Sequence, residues 1–265
     1  MNKFQYMLAP MEDFTDNAFR TLCFRHGADM TFTELLRIEA LAKNVTNTWE
    51  RIEKKDNTPV VVQLLGSSEK DLEKFLGMFE PFDGFKGFNL NLGCPDPQAV
   101  SLGYGCAMIK NFSKVKRMVD IIKNKGYSCS VKMRLGKDNK EKEKKFYLNT
   151  IKEVDADFFI VHARHGKQGY DEKPDYSVFP ECGRTGKTII ANGDIDSKEK
   201  VELLKSYGVS GVMIGRAAVS NPQIFDKLKG NKLENPEKIR KEYNELALKY
   251  DAPFRYRKNV LKRML

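Results

Sequence analysis

TIIANGDIDSKEKVELLKSYGVSGVMIGRAA, residues 188–218, is the stretch that decides the architecture. It opens on TIIANGDI (188–195), an apolar run that reads as a strand buried on both faces. Ser197 to Tyr207 follows Asp196 and stops at Gly208, the pattern of a capped helix. A second apolar run, GVMIGRAA (211–218), begins immediately after. Strand, helix and strand in so short a span make a parallel unit, because parallel strands need a crossover between them.

Runs of the same kind precede this unit. They are YMLAPM (6–11), MTFTELL (30–36), PVVVQLLG (59–66), GFNLNLGCP (87–95), CSVKMRLG (129–136) and FFIVHARH (158–165). Helices are expected from Asn17 to His26 before Gly27, from Ser68 to Phe79, and from Asn111 to Lys125 before Gly126. Eight strands alternating with helices fit an α/β fold, the parallel (β/α)8 TIM barrel. A doubly wound open sheet is the alternative, but no GxGxxG follows the first run. Beyond about Asn221 the strand signal stops, and the rest reads as helix broken at Pro236 and near Pro253. The expected division is a barrel over residues 1–224 and a short helical appendage over 225–265. KDNKEKEKK (137–145) reads as a solvated loop or a helix start.

Composition narrows the function classes. A formal charge of +10 with a pI near 9.2 favours a polyanionic partner, with nucleic acid the commonest. The appendage holds twelve Lys and Arg against six Asp and Glu, and Phe254–Leu265 carries no acidic residue. Five cysteines without a CxxC pair give no zinc or iron–sulfur signature, so no metal is expected. Their odd, scattered placing argues against a disulfide framework and for a reducing cytoplasm. No secretory leader and no membrane-length apolar run is present. Oligomeric state is left open.

In a barrel of this type reactive groups gather at the C-terminal ends of the strands. The polar residues there are Gln63, Asn91 and Cys94, Lys132 and Arg134, His162, Arg164 and His165, Asn192, Gly193 and Asp194, and Gly215 and Arg216. Polar side chains in apolar strands are costly unless partnered, so their convergence points to a ligand. Glycines after the last two runs let backbone N–H groups approach a phosphate, and a short following helix adds its positive end. The bland alternative is that Gly193 and Gly215 only serve tight turns. Lys132 and Arg134 alternate on one strand and point the same way. They suit the electron-rich edge of a reduced flavin, or else a salt bridge at the mouth with Asp194. Cys94 stands in a proline-stiffened loop, and a thiol, mostly protonated at neutral pH, suits a proton donor. The other cysteines read as small core residues, with Cys106 the only rival.

Taken in order, LAPMEDFTDNAFR, VVVQLLG, NLNLGCPDPQAVSLGYGCAMIK, SVKMRLG, IVHARHGKQGY, IIANGDI and GVMIGRAAVSNPQIF resemble the tRNA-dihydrouridine synthases across roughly residues 6–225. The resemblance implies an FMN-containing barrel with a C-terminal helical domain. It would reduce the C5–C6 double bond of selected uridines in tRNA with NADPH as electron donor, and so be a cytoplasmic oxidoreductase. It further implies that Pro10 and Met11 shelter the flavin ring and that Gln63 bonds its polar edge. Lys132 and His162 would contact the flavin, while Asn192, Gly193, Asp194, Gly215 and Arg216 would hold the phosphate region. Asn91 and Arg164 would orient the uracil. Cys94 would give the proton to C5 as hydride from flavin N5 reaches C6. Arg255, Arg257 and Lys258 resemble a basic family segment and would touch the RNA. Glu12-Asp13-Phe14 departs from the small residues common after Met11, and the helical part is shorter than the family's usual one. A flavin reductase of a free pyrimidine and a non-catalytic RNA-binding barrel are the alternatives. The basic appendage speaks against the first. The Cys94, Lys132 and Gln63 set in its motifs speaks against the second.

Overall fold

The computed structural model describes residues 3–52 and 55–264. Nine strands lie in one parallel sheet: β1 Gln5–Leu8, β2 Thr31–Phe32, β3 Leu36–Arg37, β4 Val60–Leu65, β5 Phe85–Leu92, β6 Cys129–Met133, β7 Phe159–His162, β8 Ile189–Asn192 and β9 Gly211–Ile214. The order runs β1-β9-β8-β7-β6-β5-β4-β2, with β3 also on β4. A parallel bridge between Met7 and Met30 joins β1 to the residue before β2, with the Leu8 amide on the Met30 carbonyl at 2.9 Å. The result is a nearly closed (β/α)8 barrel.

Seven of the eight expected strands form as single strands. The second is broken, and the reason is chemical. At Thr33 the side-chain hydroxyl takes the Gln63 amide at 2.9 Å, in place of a backbone carbonyl. Glu34 is buried but accepts from the Asp13 amide and, at 2.5 Å, from the Tyr256 hydroxyl. The chain therefore leaves the ladder for two contacts outside it and rejoins at Leu36.

The expected helices follow their caps. Asp16, Ser68, Asn111 and Ser197 each accept an amide of the first turn, opening Asn17–Arg25, Glu69–Met78, Phe112–Asn124 and Lys198–Ser206. The charged run contains the short helix Asn139–Glu143, capped by Asp138. After β9 come Arg216–Ser220, Ile224–Lys229, Pro236–Lys249 and Phe254–Arg263, with Pro236 and Pro253 at the starts of the last two. Among the described residues no helix is long and apolar enough to cross a membrane.

Two cores hold the barrel. The larger lies between strands and helices, and the smaller fills the barrel floor with Met7, Phe32, Val61, Ile160, Ile190 and Met213. Two-residue periodicity sets what lies above that floor. From Val61, Ile160 and Ile190 the next inward positions are Gln63, His162 and Asn192. Register pairs Gln63 with Asn89 and Asn91 with Lys132 on the same face. Polar residues thus occupy the upper layer of the barrel, toward the strand ends.

Candidate active site

The upper layer opens into a cavity of about 500 Å³ at the C-terminal end of the strands. Pro10 and Met11 form one wall after β1, and Lys132 and His162 the floor. Asn192, Gly193 and Asp194 line it after β8, and Gly215 and Arg216 after β9. Nine of the ten positions read from the sequence as cofactor contacts therefore meet in one place. The tenth, Gln63, is buried behind it. Its amide donates to Asn89 at 2.8 Å and accepts from Asn91 at 2.9 Å.

The Lys132 side chain makes no hydrogen bond or ion pair among the described residues. Burial, followed by the Arg134 guanidinium, pushes its ammonium down to about 8. His162 is 8% exposed, and its Nδ1 has no partner among the described residues. Burial first, then Lys132 and three arginines, push it down to about 2, so the ring is neutral at any working pH. The cavity floor thus offers an unmatched cation and an unmatched neutral ring, and this donor set asks for an anionic or electron-rich guest.

Backbone access is similarly prepared. Gly193 has φ +124°, which favours glycine, and a Cβ there would stand 3.3 Å from Pro174 Cβ. A Cβ on Gly215 would stand 3.4 Å from Met11 Sδ. The Tyr176 hydroxyl donates to the Gly193 carbonyl, and the Asn192 amide to the Met213 carbonyl at 2.8 Å. These bonds fix the β8 turn to its neighbours. They also show that one Asn192 donor braces the barrel.

Asp194 does not pair with Lys132 or Arg134. Its carboxylate bridges Arg164 and Arg216, which holds it below the usual carboxylate range. The two cations of the KMR segment also part company. Lys132 stays on the cavity floor, whereas Arg134, beyond the end of β6, turns under the β7 loop and donates to the His165 carbonyl at 2.8 Å. The alternation holds for the backbone, and the long arginine follows the carbonyls.

Arg164 is 1% exposed. Its Nε donates to the Glu172 carbonyl at 2.8 Å, and Nη2 to the Tyr170 carbonyl at 3.3 Å and to Asp194. Only Nη1 is left without a partner. The side chain therefore holds the loop over residues 165–175 and is not part of the cavity lining.

That loop supplies a residue the sequence reading did not assign. Tyr170, 56% exposed, lines the cavity with the Arg216 guanidinium 4.4 Å from its ring centre and Arg134 and Arg164 at 5.5 and 5.8 Å. The sequence signal was present, an aromatic after glycine in the loop beyond a polar strand end, yet nothing local told it from an ordinary loop tyrosine.

Cys94 is half-buried in the β5 loop, off the cavity lining but within electrostatic reach of Lys132 on its floor. Asn91 Oδ1 accepts the Gly93 and Cys94 amides, each at 2.9 Å, and so fixes where the thiol stands. Burial raises the Cys94 thiol above its ordinary value, and Arg134 pulls the other way. The group is a thiol at neutral pH and can donate a proton.

A second hollow, about 570 Å³, opens at the seam between barrel and C-terminal helices. It is lined by charges of both signs, among them Arg20, Glu34, Arg51 and Asp251. The helix Phe254–Arg263 is anchored beside it. Arg255 pairs with Asp13, Tyr256 bonds Glu34, and the Arg263 guanidinium lies 5.0 Å from the Phe14 ring centre. Arg257 is half-buried, with Nε unpartnered. Lys258 and Lys262 are exposed. The Glu12-Asp13-Phe14 departure is thus where this helix docks.

Comparison with known proteins gives the family. The dihydrouridine synthase family matches residues 7–259. A probable tRNA-dihydrouridine synthase of Helicobacter pylori is 30% identical over 91% of this chain and 75% of its own length. A second, from Bacillus subtilis, is 30% identical over 84% and 71%. Among solved structures, an NCR variant from Zymomonas mobilis aligns at TM-score 0.54 and 15% identity over 92% of this chain and 93% of its own. A morphinone reductase variant in complex with tetrahydroNAD aligns at 0.59 and 9% over 90% of each. The structural likenesses speak for the fold. The match over almost the whole length, together with the relatives, makes this chain a member of the dihydrouridine synthase family of oxidoreductases.

Proposed function

We propose that this protein is an FMN-dependent tRNA-dihydrouridine synthase that uses NADPH to reduce the C5–C6 double bond of uridines in tRNA. The observation that carries the reading is the convergence of Lys132, His162, Asn192, Gly193 and Arg216 on one cavity, with the Cys94 thiol within electrostatic reach of Lys132.

FMN held in this cavity, with NADPH as its electron source, would supply the hydride for C6 of the uracil. The chain does the rest. Pro10 and Met11 would shelter that group's ring, and the Lys132 ammonium and neutral His162 would contact it. Gln63 acts by bracing Asn91. The Gly193, Asp194 and Gly215 backbone and Arg216, itself oriented by Asp194 and Tyr170, hold the phosphate. The target uridine leaves its stack to reach the cavity. Asn91 keeps one amide hydrogen for the base, and Arg164, buried off the lining, positions the loop that carries Tyr170 to the cavity. Cys94 gives its Sγ proton to C5 as charge develops there. Residues 225–265 form the RNA-facing appendage, and the enzyme works in the cytoplasm. Two basic residues of its last helix, Arg255 and Arg263, are drawn into docking, which leaves Lys258 and Lys262 as the main phosphate contacts and Arg255 and Arg257 as secondary ones.

The test is FMN titration of protein stripped of flavin. One FMN per chain is expected. Lys132 is charged below about 8 and loses its charge as pH rises through that value, so affinity falls on the alkaline side. A folded protein that takes up no FMN at neutral pH rejects the reading.

A further inference from the structure

Cys106 has no part in the chemistry above, yet the fold places it against Cys94. The Cys106 amide donates to the Cys94 carbonyl at 3.0 Å. Between them in space stands Gly105, at φ +56°, and a Cβ there would lie 2.3 Å from the Cys94 carbonyl oxygen and 2.9 Å from Cys94 Cβ. Gly105 thus lets the segment that carries Cys106 pass directly against the Cys94 side chain.

With N–Cα about 1.5 Å and Cα to its own carbonyl oxygen about 2.4 Å, that 3.0 Å bond sets the two Cα atoms roughly 5–6.5 Å apart. That separation falls within the roughly 4.4–6.8 Å that a disulfide spans. Burial raises both thiols, Cys106 to about 11, while the Arg134 guanidinium pulls each the other way, and Cys106 lies within the electrostatic reach of Cys94. Access differs between them. Cys94 is half-buried at the mouth, whereas Cys106 is 1% exposed and cannot meet an outside oxidant first. Cys23, Cys129 and Cys182 are all fully buried in the packing between strands and helices.

We propose that Cys94 and Cys106 form a reversible thiol–disulfide site, with Cys106 the resolving thiol. The Cys94 thiolate attacks one sulfur of a low-molecular-weight disulfide, and the first small thiolate leaves. The Cys106 thiolate then attacks Cys94 Sγ in the mixed disulfide, and the second small thiolate leaves. Two protein thiols are oxidised, one small disulfide is reduced to two thiols, and two protons pass to solvent or to the leaving thiolates. The bond needs only this geometry. Its consequence, loss of uridine reduction until a reductant restores the thiols, rests on the role of Cys94 proposed above.

The experiment incubates the reduced protein with oxidised glutathione, blocks free thiols, and maps the peptides by mass. A peptide pair joined through Cys94 and Cys106, cleaved by dithiothreitol, is expected, with tRNA reduction lost and then recovered in parallel. Cys106→Ser should retain activity when reduced but stop at glutathione on Cys94. Wild-type protein that also stops at the glutathione adduct, or that stays fully reduced while Cys94 remains alkylatable, overturns the proposal. Because the crosslink is read by mass, this failure is distinct from a failure of the proton-donor role, which an active Cys94→Ala variant would reveal.

Discussion

Cys94→Ala should slow tRNA reduction by about 10²–10⁴-fold, the contribution typical of a positioned general acid. FMN content and NADPH oxidation should be unchanged, because Cys94 does not line the cavity. The local structure makes the substitution clean. Asn91 Oδ1 holds backbone amides, and the Cys94 carbonyl holds the Cys106 amide, so removing the sulfur leaves every one of these bonds in place. The rate should be followed as flavin reoxidation by tRNA after reduction by NADPH. Cys106→Ala is the control. A loss of turnover in Cys106→Ala with Cys94→Ala intact would move the acid to the buried thiol and leave the flavin chemistry standing.

The second large effect is expected at the β8 turn. Gly193→Val should weaken FMN by roughly tenfold or more, since a non-glycine residue in so strained a backbone costs about 1–3 kcal/mol. Steric crowding adds to this. The new Cβ would stand 3.3 Å from Pro174 and 3.6 Å from the Ala163 nitrogen and His162 Cε1. The side chain would therefore press on the ring proposed to face the flavin. Thermal unfolding of the variant separates local loss of affinity from a collapsed barrel. A variant that folds and binds FMN like the parent would show that the backbone at Gly193 is not approached by the phosphate.

Much of this was legible before the fold was seen, for physical reasons that differ by element. Strands buried on both faces announce themselves as continuous apolar runs, and seven were unbroken. Helix starts were legible because a capping side chain and its amide lie three residues apart in sequence. The positions that line the cavity could be read because a polar residue in such a strand has few places to go other than the mouth. What failed to show was whatever depends on partners distant in sequence. The break in the second strand needs Asp13 and Tyr256, and nothing within MTFTELL foretells either. Arg164 looked like Lys132 in sequence, a cation at a strand end. Its burial under the Tyr170–Glu172 carbonyls follows from how the next loop folds back. Arg255, Arg257 and Lys258 were read alike as RNA contacts, yet Asp13 claims Arg255, and Phe14 lies against Arg263. Charge count predicts a polyanion partner, but tertiary contacts decide which charges remain free for it.

The central claim is that the cavity at the strand ends, loaded with FMN, reduces uridine within RNA. The most direct measurement combines purified protein, FMN and NADPH with unmodified tRNA in one reaction and free uridine in another, followed by mass analysis of the nucleosides. The account predicts dihydrouridine from tRNA at defined positions and little or none from the free nucleoside. Reduction of free uridine with tRNA left untouched, or no dihydrouridine from a protein carrying its full complement of FMN, would contradict it.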